Sequence, residues 1–382
     1  MAGLYIHIPF CKKRCSYCSF ISYEHKAHLI RRYLDAIKKE ARIVSNLDLL
    51  DGLTFDTLYI GGGTPSLIPP RQLAKLMDYL FSVLPMATNR QIEMTLECNP
   101  ESVTRDLIET AKDVGINRIS LGVQDLTKEG LTLLGRIHST DHVNKAAEIV
   151  RSAGIGNLSV DLIYCLPGQD PDWLIKTLNR ILTLTPSHIS AYELSLEPDT
   201  PLWRLHKKKR IKLPDDELRY LLTKRLEDYL GSQGFFQYEI SNFAKTGFQC
   251  RHNKNYWRCG DYLGLGCSAV SYLHGKRDFN TKKLETYIKM LDNGKRPVVE
   301  SEHLEEEKRF REAFVIGLRM TQGINAKELE KRFGVDPFYY YSSSLLEKMK
   351  RNGVMKLDKA SGTIRLTERG RDVSNFVLGY FV

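Results

Sequence analysis

Cys11-Lys-Lys-Arg-Cys15-Ser-Tyr-Cys18 places three thiols within eight residues, at the spacing C-x3-C-x2-C. The stretch LYIHI at 4–8, just before it, is apolar and β-branched, and this composition predicts a β-strand. Pro9 ends that strand because proline has no N–H to donate to a ladder. We therefore expect the three thiols to lie on a loop directly after the first strand.

Three thiolates on one loop can hold one iron–sulfur cluster and leave one iron open, because such clusters are normally bound by four cysteines. A structural zinc site usually has four ligands in paired groups, and no second C-x2-C or H-x3-H pair follows at a suitable distance. A disulfide would leave one of the three thiols unpaired. Buried structural cysteines would not normally sit among Lys12, Lys13, Arg14 and Ser16. The spacing favours the cluster over these alternatives.

Composition places the chain among soluble globular proteins. Its 382 residues are 42% hydrophobic and 27% charged, enough for one to three domains with a large core. No apolar run approaches a membrane span and no signal peptide opens the chain, so we expect a cytoplasmic protein, or a matrix form whose leader is not in this sequence. Eight cysteines then indicate ligands and reduced thiols. The net charge of +10 includes local runs such as KKKR at 207–210, which favour a solvated loop over nucleic-acid binding.

Strand and helix patterns alternate about six times after the thiol loop. The strand patterns lie at 57–60, 92–97, 117–123, 158–164 and 188–194, and the helix patterns at 29–44, 70–83, 103–114, 142–153 and 173–182. Alternation of this kind predicts an α/β fold with a parallel sheet, closed or partly closed as a (β/α)6 TIM-like barrel. The chemistry of such barrels sits at the carboxyl ends of the strands.

The rest of the chain predicts two further regions. A helix at 215–230 and a strand at 235–240 precede an aromatic, cysteine-containing stretch, and helices from about 305 onward lead into a short β-ribbon. Helices followed by a ribbon favour a small winged-helix-like domain, which we interpret as a substrate lid or partner surface. We divide the chain into a core barrel at 1–235, a connecting region at 236–300 and a C-terminal domain at 301–382.

The string YIHIPFCKKRCSYCSF at 5–20 resembles the radical S-adenosylmethionine (SAM) superfamily, and within it the HemN/HemW family of oxygen-independent coproporphyrinogen oxidases and haem chaperones. The resemblance covers nearly the whole chain. It implies that Cys11, Cys15 and Cys18 bind a [4Fe–4S] cluster, with SAM chelating the open iron. In this superfamily an electron from the cluster cleaves SAM to a 5′-deoxyadenosyl radical, while the protein supplies orientation and excludes water.

The run GGGTP at 61–65 follows a predicted strand and precedes a helix. Its glycines let backbone N–H groups approach an anion closely, although a flexible turn is the alternative. In the family this run binds the amino-acid part of SAM. The resemblance implies a SAM site that comprises Tyr5, Tyr17, Gly62, Gly63, Thr64, Glu97, Gln124, Arg136, Asp161, Ser195 and Val270.

The segment HNKNYW at 252–257 resembles the HNxxYW signature of the haem chaperones, and a neutral imidazole is a common haem ligand. His252 is therefore a candidate for haem binding, with a hydrogen-bonding role between barrel and C-terminal region as the alternative. Cys250, Cys259 and Cys267 nearby match no zinc spacing. HemN-type oxidases carry a fourth cysteine in CxxxCxxCxC, and this chain has Phe20 there.

These features favour a haem chaperone without coproporphyrinogen oxidase activity. The alternative is an oxidase that makes protoporphyrinogen IX by SAM-derived radical decarboxylation, and a radical SAM methyltransferase would need a signature that the chain lacks. The resemblance implies as partners haem, an electron donor, and haem-accepting proteins, with respiratory and membrane-associated ones among the candidates. We expect no nucleic acid, and a homodimer is among the candidate assemblies.

Overall fold

The computed structural model describes residues 2–88 and 91–382, in which parallel strands alternate with helices. The first six strands of the main sheet are β1 (Ala2–Ile8), β2 (Phe55–Gly62), β3 (Glu93–Cys98), β4 (Arg118–Gln124), β5 (Asn157–Tyr164) and β6 (His188–Glu193). The helices that connect them are α1 (Ile30–Ser45), α2 (Pro70–Val83), α3 (Arg105–Asp113), α4 (Lys128–Leu133), α5 (Thr140–Ser152) and α6 (Pro171–Thr183). The predicted alternation and the α/β class are confirmed.

Strand β4 shows why the barrel has an apolar outside and a polar inside. Ile119, Leu121 and Val123 are fully buried in the main hydrophobic core. The alternate residues, Ser120 and Gly122 among them, line the cavity inside the barrel. Because side chains alternate across a strand, the helices cover the apolar face and the polar face is left for a ligand.

The sheet extends beyond these six parallel strands at both edges. Between α6 and the C-terminal domain lie α7 (Pro201–Lys207), α8 (Asp216–Ser232), β7 (Phe236–Gln237), β8 (Asn242–Ala244), α9 (Arg251–Trp257), β9 (Tyr262–Leu265), β10 (Val270–Leu273), β11 (Lys276–Asn280), α10 (Leu284–Asp292) and β12 (Val298–His303). The strand order is β12-β11-β10-β9-β1-β2-β3-β4-β5-β6-β8-β7, with β9 parallel to β1. The region predicted as a connection at 236–300 thus contributes β7 to β12, six of the twelve strands of this sheet in the described residues. The sheet stays open at its edge strands, β12 and β7.

The strand predicted at 235–240 is shorter than expected, since only Phe236–Gln237 forms β7. The carboxylate of Glu239 is buried and accepts hydrogen bonds from the Ser241 N–H and the Asn242 side chain. These bonds turn the chain back after Gln237, so that β8 returns beside β7 as an antiparallel partner. The prediction of a six-residue strand was wrong for this local reason.

The C-terminal domain has its own hydrophobic core around Phe310, Phe314, Tyr341 and Phe381. It comprises α11 (Glu306–Gly317), β13 (Ile324–Asn325), α12 (Ala326–Phe333), α13 (Pro337–Tyr340), α14 (Ser343–Arg351), β14 (Met355–Asp358), β15 (Thr363–Leu366), α15 (Glu368–Asp372) and α16 (Ser374–Leu378). The predicted helices and ribbon are present, and β13 adds a third strand in the order β13-β15-β14. Across the two described ranges, no helix is long and apolar enough to cross a membrane.

Glu40 of α1 joins the barrel to the strands that extend it. Its buried carboxylate accepts hydrogen bonds from the Gly266 N–H at 2.8 Å, from the Asn280 amide at 2.6 Å and from the Tyr287 hydroxyl. Burial raises the pKa of Glu40 to about 7, and these three hydrogen bonds oppose the rise. One side chain thus holds α1, the loop after β9, β11 and α10 together.

We predict that Glu40→Ala lowers the free energy of unfolding by about 3 kcal/mol, because it leaves three buried donors without an acceptor. Since the pKa of Glu40 is higher in the folded state, its contribution to stability is greatest below the unfolded pKa and is lost as pH rises toward 7. Glu40→Gln should remove that pH dependence. Urea denaturation at pH 5 and pH 7.5 measures both effects.

Asp35→Asn is the matched control for Glu40, since Asp35 lies on the exposed side of the same helix and pairs with Lys38 at 3.4 Å. It should leave the free energy of unfolding nearly unchanged. Equal losses in the two variants would contradict the role assigned to Glu40.

Candidate functional site

The carboxyl ends of the barrel strands surround a cavity of about 500 Å³. The structure brings most of the predicted site residues together on its wall. Those that line it are Cys11, Cys15, Tyr17, Cys18, Gly62, Gly63, Thr64, Glu97, Gln124, Arg136, Asp161 and Ser195.

The thiol loop is fixed by the segments that follow β4 and β6. The Ser16 N–H donates to the Leu134 carbonyl at 2.9 Å, and the Ser16 carbonyl accepts from the Leu202 N–H at 2.9 Å. Gly135 has a φ of +68°, and a Cβ there would lie 2.5 Å from the Ser16 hydroxyl oxygen. Backbone contacts to two neighbouring segments therefore hold the loop against the barrel.

The three thiols of the loop are free and half-buried. Burial raises the pKa of Cys11 and of Cys18, so their thiolates need compensating partners. For Cys11 the Thr64 hydroxyl donates to Sγ at 3.7 Å, and for Cys18 the nearby charges of Arg14 and Arg136 oppose the rise in pKa. Arg136 Nη1 also donates to the third thiol, Cys15 Sγ, at 3.1 Å.

The donor set fits a cluster better than a single ion. No group of three or more His, Cys, Asp or Glu side chains within 2–88 and 91–382 is arranged to hold one metal ion. Three thiols that line one cavity wall, beside a cation, suit the wider spacing of a cluster with several irons.

Arg136 connects the thiol loop with the ends of β3 and β4. Besides Cys15, its guanidinium donates to Asn99 Oδ1 at 2.8 Å and to the Gly122 carbonyl at 2.7 Å. A planar guanidinium can make these contacts at once because its N–H groups point in fixed directions. The position of Cys15 therefore depends on the strand ends.

The glycine run packs directly against the thiol loop. Gly62 has a φ of +116°, and its N–H donates to Glu97 Oε2 at 3.0 Å. A Cβ on Gly63 would lie 2.7 Å from the Phe10 carbonyl oxygen and 2.9 Å from Cys11 Sγ. Glycine is thus required at this position, because any side chain would keep the backbone away from the thiol loop. Glycine runs that bind phosphates and other anions depend on the same close backbone approach.

Two carboxylates lie inside the barrel, one near the end of β3 and one in the middle of β5. Glu97 accepts from the Tyr59 hydroxyl at 2.8 Å, and Asp161 accepts from the Ser120 hydroxyl at 3.1 Å. Burial raises the pKa of Glu97 to about 7 and also raises the pKa of Asp161. Both groups can accept hydrogen bonds from ligand amino or hydroxyl groups.

Gln124 reaches the cavity through a distortion of β4. Its φ is +68°, and the register between β4 and β5 shifts between Gly122 and Gln124. A bulge of this kind redirects a side chain at some cost in backbone strain. Ser195 lies just beyond β6, where its hydroxyl donates to Glu197 at 2.9 Å.

Tyr5, Val270 and His252 are not among the residues that line the cavity. The Tyr5 hydroxyl forms a hydrogen bond of 2.9 Å with His7 Nδ1, and its ring lies beside that of Tyr59. Val270 lies on β10, which pairs with β11 outside the barrel. The assignment of Tyr5 and Val270 to the SAM site stays a prediction.

His252 is 1% exposed and lies on α9, at the opposite end of β2 from the glycine run. Nδ1 forms a hydrogen bond of 2.8 Å with the Thr57 hydroxyl, and Nε2 forms one of 3.0 Å with the Tyr256 hydroxyl. The ring also stacks on Tyr59 at 5.2 Å. Burial, with Arg118 nearby, lowers the pKa of His252 to about 3, so its ring is neutral.

Several further residues line the cavity without having been predicted. They are polar or aromatic residues of the strands, of the segment after β3 and of α9, and the set includes Tyr59, Asn99, Arg118, Ser120, Ser190, Tyr192 and Asn253. The signal that could have found some of them is the sequence RISLGVQ of β4, where apolar and polar or small residues alternate.

Comparison with known proteins agrees with this geometry. A family model described as the radical SAM superfamily matches residues 5–181, and one described as the HemN C-terminal domain matches residues 304–373. The barrel and its thiol loop define a radical SAM protein, a class that binds a [4Fe–4S] cluster and SAM.

Curated relatives match over the whole chain. The haem chaperone HemW of Bacillus subtilis is 32% identical over 100% of this chain and 99% of its own length. HemW of Escherichia coli is 37% identical over 72% of this chain and 70% of its own. The structure of coproporphyrinogen III oxidase HemN from E. coli, a radical SAM enzyme, has a TM-score of 0.85 at 25% identity and covers 100% of this chain and 89% of that one. This chain belongs to the HemW family of the radical SAM superfamily.

We predict that Cys11→Ala, Cys15→Ala and Cys18→Ala each abolish stable cluster binding, because no other described thiols line the cavity on one loop. Iron content and visible absorbance after anaerobic reconstitution measure the effect. Cys98→Ala is the matched control, since Cys98 lines the same cavity from β3 and should leave the cluster intact. Full cluster content in all three loop variants would contradict the assignment.

We predict that SAM affinity rises as pH increases through about 7, because Glu97 then ionises and accepts hydrogen bonds from the ligand. Glu97→Gln should weaken SAM binding and flatten this pH profile, whereas Glu129→Gln on the exposed side of α4 should change neither. Equilibrium dialysis of reconstituted protein at pH 6 and pH 8 measures both the affinity and its pH profile.

Arg136→Ala should weaken SAM binding by about tenfold or more, because it removes a planar cation that could pair with a ligand carboxylate. Wild-type SAM affinity in both Arg136→Ala and Glu97→Gln would place the pocket elsewhere.

Proposed function

We propose that this protein is a haem chaperone, which binds haem and delivers it to haem-accepting proteins, and that it does not convert coproporphyrinogen III to protoporphyrinogen IX. The observation that carries the proposal is Phe20, which occupies the position of the fourth cysteine of HemN-type oxidases and lies at the cavity rim. The relatives named as haem chaperones support it, because one of them matches the full length of this chain.

Different residues of the cavity would hold different parts of the two cofactors. When bound, the cluster and SAM supply one-electron radical chemistry. Arg136 and Thr64 donate to sulfur atoms of the thiol loop. The N–H groups of Gly62 and Gly63 already donate to Glu97 and to the Ile8 carbonyl, so the glycine run contributes by bringing its backbone close to the thiols. Glu97 and Asp161 accept hydrogen bonds from neutral or cationic ligand groups. Burial of these groups shields the site from water.

His252 remains a candidate for haem handling, and its contacts favour an indirect role. Ligation of iron would require the hydrogen bond to Thr57 or the one to Tyr256 to break, since both ring nitrogens have partners. The hydrogen bond to Thr57 and the stacking on Tyr59 attach α9 to β2. We propose that His252 acts by fixing α9 rather than as a haem ligand.

The proposal includes the partners. The class requires an electron donor for the cluster, and a chaperone requires acceptors, for which respiratory and membrane-associated haem proteins are candidates. We propose a cytoplasmic protein that meets them there or at the membrane surface. A homodimer is the candidate assembly to test beside the monomer.

We predict saturable haem binding and no catalytic decarboxylation. Anaerobically reconstituted protein is titrated with haem and followed by Soret absorbance, and a parallel sample receives SAM, a reductant and coproporphyrinogen III. The haem titration should saturate, and no protoporphyrinogen IX should accumulate beyond one equivalent. E. coli HemN is the positive control for the second assay. Catalytic turnover together with no saturable haem binding would replace the chaperone by the oxidase.

A further inference from the structure

We propose that haem binds at the mouth of the barrel cavity, with its ring against Phe20 and its propionates toward Lys13 and Arg14. This inference rests on the proposed haem-chaperone function and places the cargo on the thiol loop. It separates the haem site from the buried His252 of α9.

Phe20 is an apolar side chain left exposed at the edge of a ligand cavity. It is 67% exposed and lines the cavity together with Lys13, Arg14 and Ser19. An aromatic ring in water favours a flat apolar ligand that covers it, and stacked rings add to the gain from burial. The porphyrin ring of haem has this shape and polarity.

The two cations beside Phe20 suit the two carboxylates of haem. Lys13 makes no hydrogen bond or ion pair with any residue in the described ranges. Arg14 uses Nε to donate to the Cys18 carbonyl at 3.2 Å, which leaves its terminal Nη groups available toward solvent. The neighbouring carboxylate of Glu24 accepts the backbone N–H of Arg14.

Carboxylates also line the cavity, and their engagement matters for an anionic ligand. Glu193 pairs with Arg219, and Glu197 accepts a hydrogen bond from the Ser195 hydroxyl. Glu97 and Asp161 hydrogen-bond to residues of the barrel interior. The propionates would therefore find free cations on the thiol loop, whereas the carboxylates on the wall are already engaged.

A second surface combines an exposed aromatic ring with cations, and it competes as a haem site. We call this surface the base groove, and its lining includes Phe236, Lys245, Arg251 and Lys254. Its cations already have partners, because Arg251 pairs with Asp56 at 2.7 Å and Lys254 donates to Gln249 at 2.8 Å. Lys245 lies over the ring of Phe235, 5.3 Å from its centroid. The mouth therefore offers freer cations than the base groove.

Haem at the mouth would also affect SAM. Phe20 follows Cys18 by two residues, so a ligand on its ring lies across the opening that leads to the predicted SAM pocket. Bound haem should then slow the release of SAM. Haem in the base groove, outside the cavity, would leave the release rate unchanged.

The test uses the reconstituted full-length protein and haem itself. Phe20→Ala should weaken haem binding by about tenfold, because it removes an aromatic contact. Lys13→Ala should weaken it less and reduce its salt dependence. Phe236→Ala and Lys254→Ala probe the base groove, and Tyr339→Ala removes an 89% exposed aromatic side chain of the C-terminal domain as a control. These three variants should bind haem as the wild type does.

Cluster content and SAM release complete the test. If Phe20→Ala also lowers cluster content, the haem affinity of Lys13→Ala decides whether haem binds at the mouth. The Lys13 side chain has no partner among the described residues, so its removal should leave the cluster intact. Wild-type haem affinity in Phe20→Ala and Lys13→Ala, with a loss in Phe236→Ala or Lys254→Ala, would move the site to the base groove and overturn the inference. Unchanged SAM release from haem-loaded protein would also overturn it. Absence of haem binding in the wild type would instead overturn the proposed function.

Discussion

The contacts of the Arg136 guanidinium determine where the thiol loop sits relative to the barrel. It donates to Cys15 Sγ, to Asn99 Oδ1 and to the Gly122 carbonyl, so a loop that follows β1 is tied to the ends of β3 and β4. Hydrogen bonds from a cation to a thiolate are stronger than neutral ones in a partly buried site. This side chain therefore fixes the loop against the strand ends and places a positive charge beside a thiol that would hold the cluster.

The polar interior of the barrel follows from the same requirement. Arg118 is 1% exposed and lines the cavity, and two of its guanidinium nitrogens have no hydrogen-bond partner among the described residues. Burial disfavours ionisation of Glu97 and Asp161 and raises the pKa of each. Such groups are expensive to bury without a ligand. The apolar faces of the surrounding helices supply the stability that lets the interior stay polar.

The sequence predicts the barrel well because its strands are long and the helices between them are periodic. The strands after α9 were harder to find, since β9 and β10 have only four residues each, too few for an alternating pattern to show. Helix α9 has seven residues, too few for a helical period to show. Most of the SAM residues implied by the resemblance line the cavity, whereas Tyr59 requires knowledge of which face of its strand points inward. That choice depends on register, which a single sequence does not display.

The HNxxYW signature made His252 a candidate for haem binding, with a hydrogen-bonding role as the alternative, and its contacts in the structure are with neighbouring strands and with its own helix. The N–H groups of Arg251 and His252 both donate to the buried carboxylate of Glu93, which fixes the start of α9 against β3. A Cβ on Gly3 would lie 3.0 Å from the His252 ring, so that ring fills the space beside β1. Only Asn253 of this segment reaches the cavity. A motif can thus mark a family through residues that pack the fold together, while Phe20, on which the proposed distinction from the oxidase rests, lines the cavity from the thiol loop.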